Sequence, residues 1–343
     1  MLDVIIDNHV IRIGDRFALG FHRTLRIPDD GRTYPLPPGL GRFPLFKVLT
    51  YRDSVPPHWL EESGAFIPMY QREALWMGFH AAEWKPNAVK IAVGGINVIS
   101  GEPIKNGLKA DPQDYIVCPD QPWLDGINTG HGSIRQFVAM PLGMGYTVEA
   151  ALTGREKFGG IQITVFEPKP GRFPDTPPTR FESGPVRFAA PKTSTTPQSM
   201  GLGAGGEMKQ KIYPDAYGID AWDLDNYGRI AIHILNSTQF LELTGIQPPP
   251  TPVDAKAYTK YGLPWFDLYD EFKGDVSPSE HLTAVKTIAE IDAQKGKTAV
   301  DNGSLDVPET LIRKLGTDTS RQRRRPLFSP AESGTSPGGK KRE

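Results

Sequence analysis

Ile134-Arg135-Gln136-Phe137-Val138-Ala139 and Ile161-Gln162-Ile163-Thr164-Val165-Phe166 are short runs in which β-branched and aromatic residues alternate with polar ones. Alternation of period two over six residues is the pattern of a half-buried strand. Ala88–Val93, Asn97–Ile99, Tyr115–Cys118 and Tyr146–Ala150 read the same way, and Gly or Pro punctuates the intervals between them. Upstream, Val10–Ile13, Phe17–Phe21 and Thr24–Ile27 alternate too, with Pro28-Asp29-Asp30-Gly31 as a turn. Many short strands without long helices among them predict an antiparallel sandwich or barrel rather than a doubly wound sheet.

Outward from this block the texture changes. A short helix is predicted between Met69 and His80 from Gln71-Arg72-Glu73-Ala74-Leu75-Trp76-Met77. Prolines at 168, 170, 174, 177, 178, 185, 191 and 197, ending in Gly201-Leu202-Gly203-Ala204-Gly205-Gly206, read as a connector. Arg229–Leu235 is apolar on both faces, fitting a buried strand or a buried helix. Thr251-Pro252-Val253-Asp254 predicts a helix closed by Gly262, Ser277-Pro278-Ser279-Glu280 a capping box, and Val307–Leu315 a third short helix. The expected organisation is a sandwich or barrel over 1–167, a connector over 168–206, a smaller α+β portion over 207–316 and a disordered basic tail over 317–343.

Gly and Pro number 36 and 33 among 343 residues, an excess that these turns and the connector absorb. The formal net charge is −1, but residues 313–343 hold nine Lys/Arg against three Asp/Glu, so the body is acidic and the tail basic. Nucleic acid is therefore expected only through the tail. Cys118 is the single cysteine, which excludes an internal disulfide and a cysteine-rich metal site. No apolar run approaches the ~18 residues that span a bilayer, so the expectation is a cytoplasmic chain without membrane insertion.

Several strings bear on chemistry. Asp220-Ala221-Trp222-Asp223-Leu224-Asp225-Asn226-Tyr227-Gly228 resembles the opening of a calcium loop, making Asp220, Asp223 and Asp225 metal candidates, although Tyr227 and Ile234 stand where ligands belong. No cofactor is otherwise expected. His131, in a glycine-rich turn near Asp125, suggests an acid/base pair, and Glu149 and Asp223 complete the carboxylates that a glycan-acting hydrolase would need. Trp123, Trp222 and Trp265 each have carboxylates nearby in sequence, a composition suited to stacking on sugars. Gly201–Gly206 lacks the strand before it and the Gly-Lys-Ser/Thr ending of a phosphate loop.

The phrases Gln113–Ile127, Ile134–Glu149, Arg26–Gly31, Phe66–Gln71 and Gly262–Asp267 resemble a family of bacterial proteins with fungal relatives. The resemblance implies that the body is one evolved unit and carries no activity, cofactor or catalytic residue. Two functions are therefore expected: a non-catalytic binding or assembly module contacting protein or carbohydrate through sheet edges and loops, or a glycan-acting hydrolase with paired carboxylates, with or without a bound cation.

Overall fold

The computed structural model describes residues 1–62, 64–176, 199–267, 273–299 and 303–315. The protein is mainly β, a large and largely antiparallel sheet with a smaller α+β portion, as the alternating strings predict. Chain order begins with β1 (Val4–Ile6), β2 (Ile11–Ile13), β3 (Phe17–Thr24), β4 (Thr33–Tyr34), β5 (Gly39–Arg42) and β6 (Phe46–Lys47). Helix α1 (Pro57–Glu62) leads to β7 (Ala65–Met69), β8 (Ala74–His80), β9 (Asn87–Val93) and β10 (Ile96–Asn97). There follow β11 (Ile116–Cys118), β12 (Trp123–Leu124), β13 (Gly126–Gly130), β14 (Ser133–Pro141), α2 (Val148–Thr153), β15 (Ile161–Pro168), β16 (Ser199–Lys209) and β17 (Trp222–Asn236). The last part holds α3 (Ser237–Thr244), α4 (Ala255–Lys260), β18 (Trp265–Asp267), α5 (Glu280–Thr283), α6 (Ile288–Gln294) and β19 (Ile312–Lys314).

All strands from β1 to β17 belong to one hydrogen-bonded sheet, and its pairings return on themselves. From β2 the ladder passes through β3, β8, β14 and β16 to β17. The Leu2 N–H then donates to the Tyr227 carbonyl (2.9 Å), and β1, which pairs with β2, closes the circuit. A second circuit leaves β17 through β15 and β9, crosses where the Asn128 N–H donates to the Val98 carbonyl (2.8 Å) and rejoins β14 through β13. Closure satisfies backbone groups that an open edge would leave to solvent or to other chains.

The rows facing the main core follow the period of two: Leu19 and Phe21 on β3, Leu75 and Met77 on β8, Ile161, Ile163 and Val165 on β15, Ile230, Ile232 and Ile234 on β17. Each such side chain contributes roughly 1.5–3 kcal/mol by leaving water. A satellite core of Val48, Tyr51, Trp59, Phe66, Leu235, Phe240 and Leu243 seats α1 and α3 on β7 and β17. Among the described residues no helix is long and apolar enough to cross a membrane.

Several local expectations give way to tertiary structure. Met69–His80 is no helix: it is the end of β7, a turn and β8, because β8 pairs residue for residue with β3 and is buried through Phe79. Tyr146–Ala150 is not a strand; Thr147 accepts from the Ala150 N–H and starts α2, which ends at Gly154 in the left-handed region. The helix expected at Thr251 starts at Asp254 instead. The capping box lies not at Ser277–Glu280, where Ser279 caps the one-turn α5, but at Thr287 and Glu290 ahead of α6. Val307–Leu315 forms a 3₁₀ turn (Glu309–Leu311) and β19, which pairs in parallel with β18.

The boundary expected at 168–206 does not separate two sheets. Gly201–Gly206 lies inside β16, between β14 and β17, and β17 pairs with β15. Glycine serves this strand through close approach: a Cβ at Gly206 would overlap the Pro28 carbonyl oxygen, and one at Gly203 would come within 2.6 Å of the Tyr146 carbonyl oxygen. Residues 177–198 of the connector, residue 316 and the basic tail over 317–343 lie outside the described residues.

Candidate functional site

The carboxylates singled out from sequence each have their own local partners. Trp222 and Trp265 are completely buried and Trp123 nearly so, so no indole face is offered to a sugar. Trp222 Nε1 donates to Asp215 Oδ2 (2.9 Å), and Trp265 Nε1 to Thr259 Oγ1 (3.1 Å). Asp125 is buried and exchanges two 3.0 Å hydrogen bonds with the Gln210 side chain. Glu149, on α2, accepts the N–H groups of Lys157 (2.7 Å), Phe158 (2.9 Å) and Gly159 (2.9 Å), which orders the entry to β15. His131 is exposed at the β13–β14 turn with φ of 55°. Asp223 accepts from the Asp225 N–H (3.1 Å), an Asx turn. Asp220, Asp223 and Asp225 do not form a cation cage, and among the described residues no group of three or more His, Cys, Asp or Glu is arranged for a metal.

What the structure brings together is a different set, at the ends of β3 and β8. The turn Tyr70–Glu73 closes with the Glu73 N–H on the Tyr70 carbonyl (3.1 Å), while the Tyr70 N–H donates back to Glu73 Oε2 (2.9 Å). Arg72 inside it has φ of 70°, and the turn is docked on β14 by Arg72 N–H to the Ala139 carbonyl (2.7 Å) and Ala139 N–H to the Glu73 carbonyl (2.9 Å). A non-glycine residue in this region costs of order 1–3 kcal/mol and persists only where its surroundings enforce it.

Glu73 is buried and faces Arg23 of β3, itself buried. Arg23 Nε and Nη2 both converge on Glu73 Oε1, at 2.7 and 2.6 Å. Above this pair opens a cavity of about 380 Å³ lined by Arg26, Tyr70, Arg72, Glu73, Val253 and Leu305 among others. The volume falls within the roughly 300–1,000 Å³ of small-molecule sites. The far wall comes from the segment ahead of α4, and Leu305 is fixed by its N–H donating to the Tyr34 hydroxyl (3.2 Å). Tyr34 in turn donates to Asp30 (2.8 Å), and burial pushes its phenol up to about 12.

A second cavity of about 400 Å³ shares Gln71 and Arg72 with the first and runs to Tyr146, Asp292 and Lys297. Arg72 Nη2 ion-pairs Asp292 Oδ2 at 2.8 Å, so one arginine divides the two spaces. The wall of the second cavity, α6, is held at its start by Asp29, whose Oδ2 accepts the Ala289 N–H (2.9 Å). It packs Ile288 and Ile291 on Ala74, Val138 and Met140.

The electrostatics follow from burial. Desolvation raises the pKa of Glu73 against the opposing pull of Arg23, and likewise raises that of Asp29 against its helix-start hydrogen bonds. Arg26, Arg72, Lys256 and Lys297 line the two spaces, with Arg23 behind, against Glu73, Asp254 and Asp292. Among the described residues the lining therefore carries more cations than carboxylates. Gln71-Arg72-Glu73 has ordinary helical residues and no glycine, so nothing in the string announces a turn. Yet Arg26–Gly31 and Phe66–Gln71, two of the phrases quoted above for the family resemblance, run along this cleft. Compared with family models, curated proteins and solved structures, the chain matches none.

Proposed function

We propose that the protein is a non-catalytic binding module that takes a small organic anion with an apolar body into the cleft between β3, β8 and the segment ahead of α4. The observation that carries this reading is Arg72, held in a left-handed conformation between two adjoining cavities, with Arg26 beside it and the Arg23–Glu73 pair beneath. Arginine's fork suits a carboxylate, while Pro28, Ala74, Val253 and Leu305 supply apolar wall. Glu73 is already committed to Arg23 and the Tyr70 N–H, which favours a positioning role over proton transfer. A glycan-acting reading needs two of Asp125, Glu149 and Asp223 to face one substrate, and each is engaged with its own separate partners.

Thermal unfolding of the full chain against benzoate, phenylacetate and hexanoate, with chloride at equal ionic strength as control, tests the proposal. The expected result is a rise in Tm with at least one carboxylate that Arg72→Ala and Arg26→Ala both abolish. No rise with any of them, or a rise that survives both substitutions, ends the reading. Consumption of the bound compound, followed by NMR, would replace binding with catalysis.

A further inference from the structure

Two carboxylates away from the cleft are spent on loops. Glu156, on the loop that follows α2, accepts from the loop that precedes it: from the Gly143 N–H, the Gly145 N–H (3.2 Å) and the Thr147 hydroxyl (2.7 Å). Glu149, buried on α2 itself, takes the N–H groups of Lys157, Phe158 and Gly159. Gly159 completes the seam, since a Cβ there would stand 2.9 Å from the Leu142 side chain. Residues 142–147 and 155–159 are thereby stitched into one unit between the end of β14 and the start of β15. What this unit holds outward is apolar: Phe158 is 49% and Met144 37% exposed, although the Phe158 ring rests against Gly95 and its N–H is bonded. Arg155 and Lys157 are exposed on the same loop, with the Lys157 ammonium 5.1 Å from the Phe158 ring centroid, and Lys295 donates to the Met144 carbonyl.

The hydrogen bonds decide what such a surface can recognise. The amides of Gly143, Gly145, Lys157, Phe158 and Gly159 are already bonded to Glu149 and Glu156, so they are not on offer to the backbone of a peptide. What the unit presents is an aromatic and a thioether tip beside cations, while its own two carboxylates are turned inward. That combination suits an anionic bilayer, where apolar tips enter the headgroup region and lysine and arginine meet the lipid charge. We infer that the loops 142–147 and 155–159 form a docking surface for an anionic membrane, onto which the protein adsorbs through Phe158, Met144, Arg155 and Lys157. Adsorption of this kind needs no spanning helix. None of these four residues lines the cleft, so the docking surface stands apart from the anion reading above.

Co-sedimentation of the full chain with phosphatidylcholine vesicles, and with vesicles in which phosphatidylglycerol replaces about a third of that lipid, tests the inference. Binding to the anionic vesicles is expected to exceed binding to the neutral ones by about tenfold or more, and to fall as salt rises. Phe158→Ala and, separately, the double variant Arg155→Glu/Lys157→Glu are each expected to weaken anionic binding by about tenfold. Their thermal unfolding is expected to stay close to that of the parent, because the three side chains are exposed. Should Phe158→Ala lower the melting temperature, Met144→Ser gives the same reading from the other loop. Binding that survives both variants belongs to another surface, such as the basic tail, and overturns the docking surface. A loss confined to one of the two variants overturns it as well, since docking here uses apolar and cationic contacts together. Equal binding to neutral and anionic vesicles, or none to either, also overturns it, and the second result leaves the patch to an acidic protein.

Discussion

Arg23 and Glu73 form an ion pair from which water is almost wholly removed, and their value to the protein depends on both being present. Arg23→Met keeps apolar volume but strands a buried carboxylate, an expected loss of about 3–5 kcal/mol at neutral pH. The loss is expected to shrink at pH 5, where the stranded Glu73 takes up a proton, and urea denaturation at the two pH values checks it. His233 makes a second residue-scale case. Its ring stacks on Trp59 at 4.3 Å, and burial first, with His58 second, lowers its pKa to about 3 from 6.5. The folded state therefore refuses a proton that the unfolded state accepts. Stability is full above pH 6.5 and is lost as pH falls toward 3, by about 1.4 kcal/mol per unit where the slope is steepest. His233→Phe retains an aromatic ring on Trp59 and is expected to flatten that slope in denaturation series from neutral pH downward. Single residues were the least legible level of the sequence. Nothing in Gln71-Arg72-Glu73 marks a left-handed arginine, since Gly and Asn usually fill that conformation. The indole and carboxylate pairs drew notice through composition, which does not distinguish a buried anchor from an exposed platform.

Among elements, legibility followed β-branching. The β9, β14 and β15 strings carry their period of two in Ile, Val and Phe, so they were readable. Glycine-rich β16 was not, because a strand whose role is to let Pro28, Tyr146 and Thr147 come close has the composition of a loop. Helix starts were legible by chemistry and misplaced by position: α6 does begin on a capping box, several residues later than expected, because α5 ends after one turn. The tight contact at Gly206 supports an expectation at this scale. Gly206→Ala drives a methyl into the Pro28 carbonyl and displaces the segment that follows β3 and carries Arg26, with an expected cost of roughly 3 kcal/mol or more. Thermal denaturation reads the stability, and any benzoate affinity is expected to fall with it.

The whole molecule was half legible. A mainly β fold followed from strand density, whereas the division of the chain did not. Residues on either side of the proline-rich stretch share one sheet because β17 pairs with β15, β16 and β7, and pairings between such distant segments leave no local mark. A fragment of residues 1–167 accordingly lacks β16 and β17, which pair with one side of β14 and of β15. It is expected to show no cooperative thermal transition by circular dichroism, while the full chain melts in one main step. A fragment that melts sharply would instead identify an independent domain. The bond from Leu2 to Tyr227 has one more consequence. On the ribosome the opening strands emerge more than two hundred residues before the strand that locks them. Until then the nascent chain carries open strand edges, so the interval between making its beginning and making β17 is when this protein most needs a chaperone.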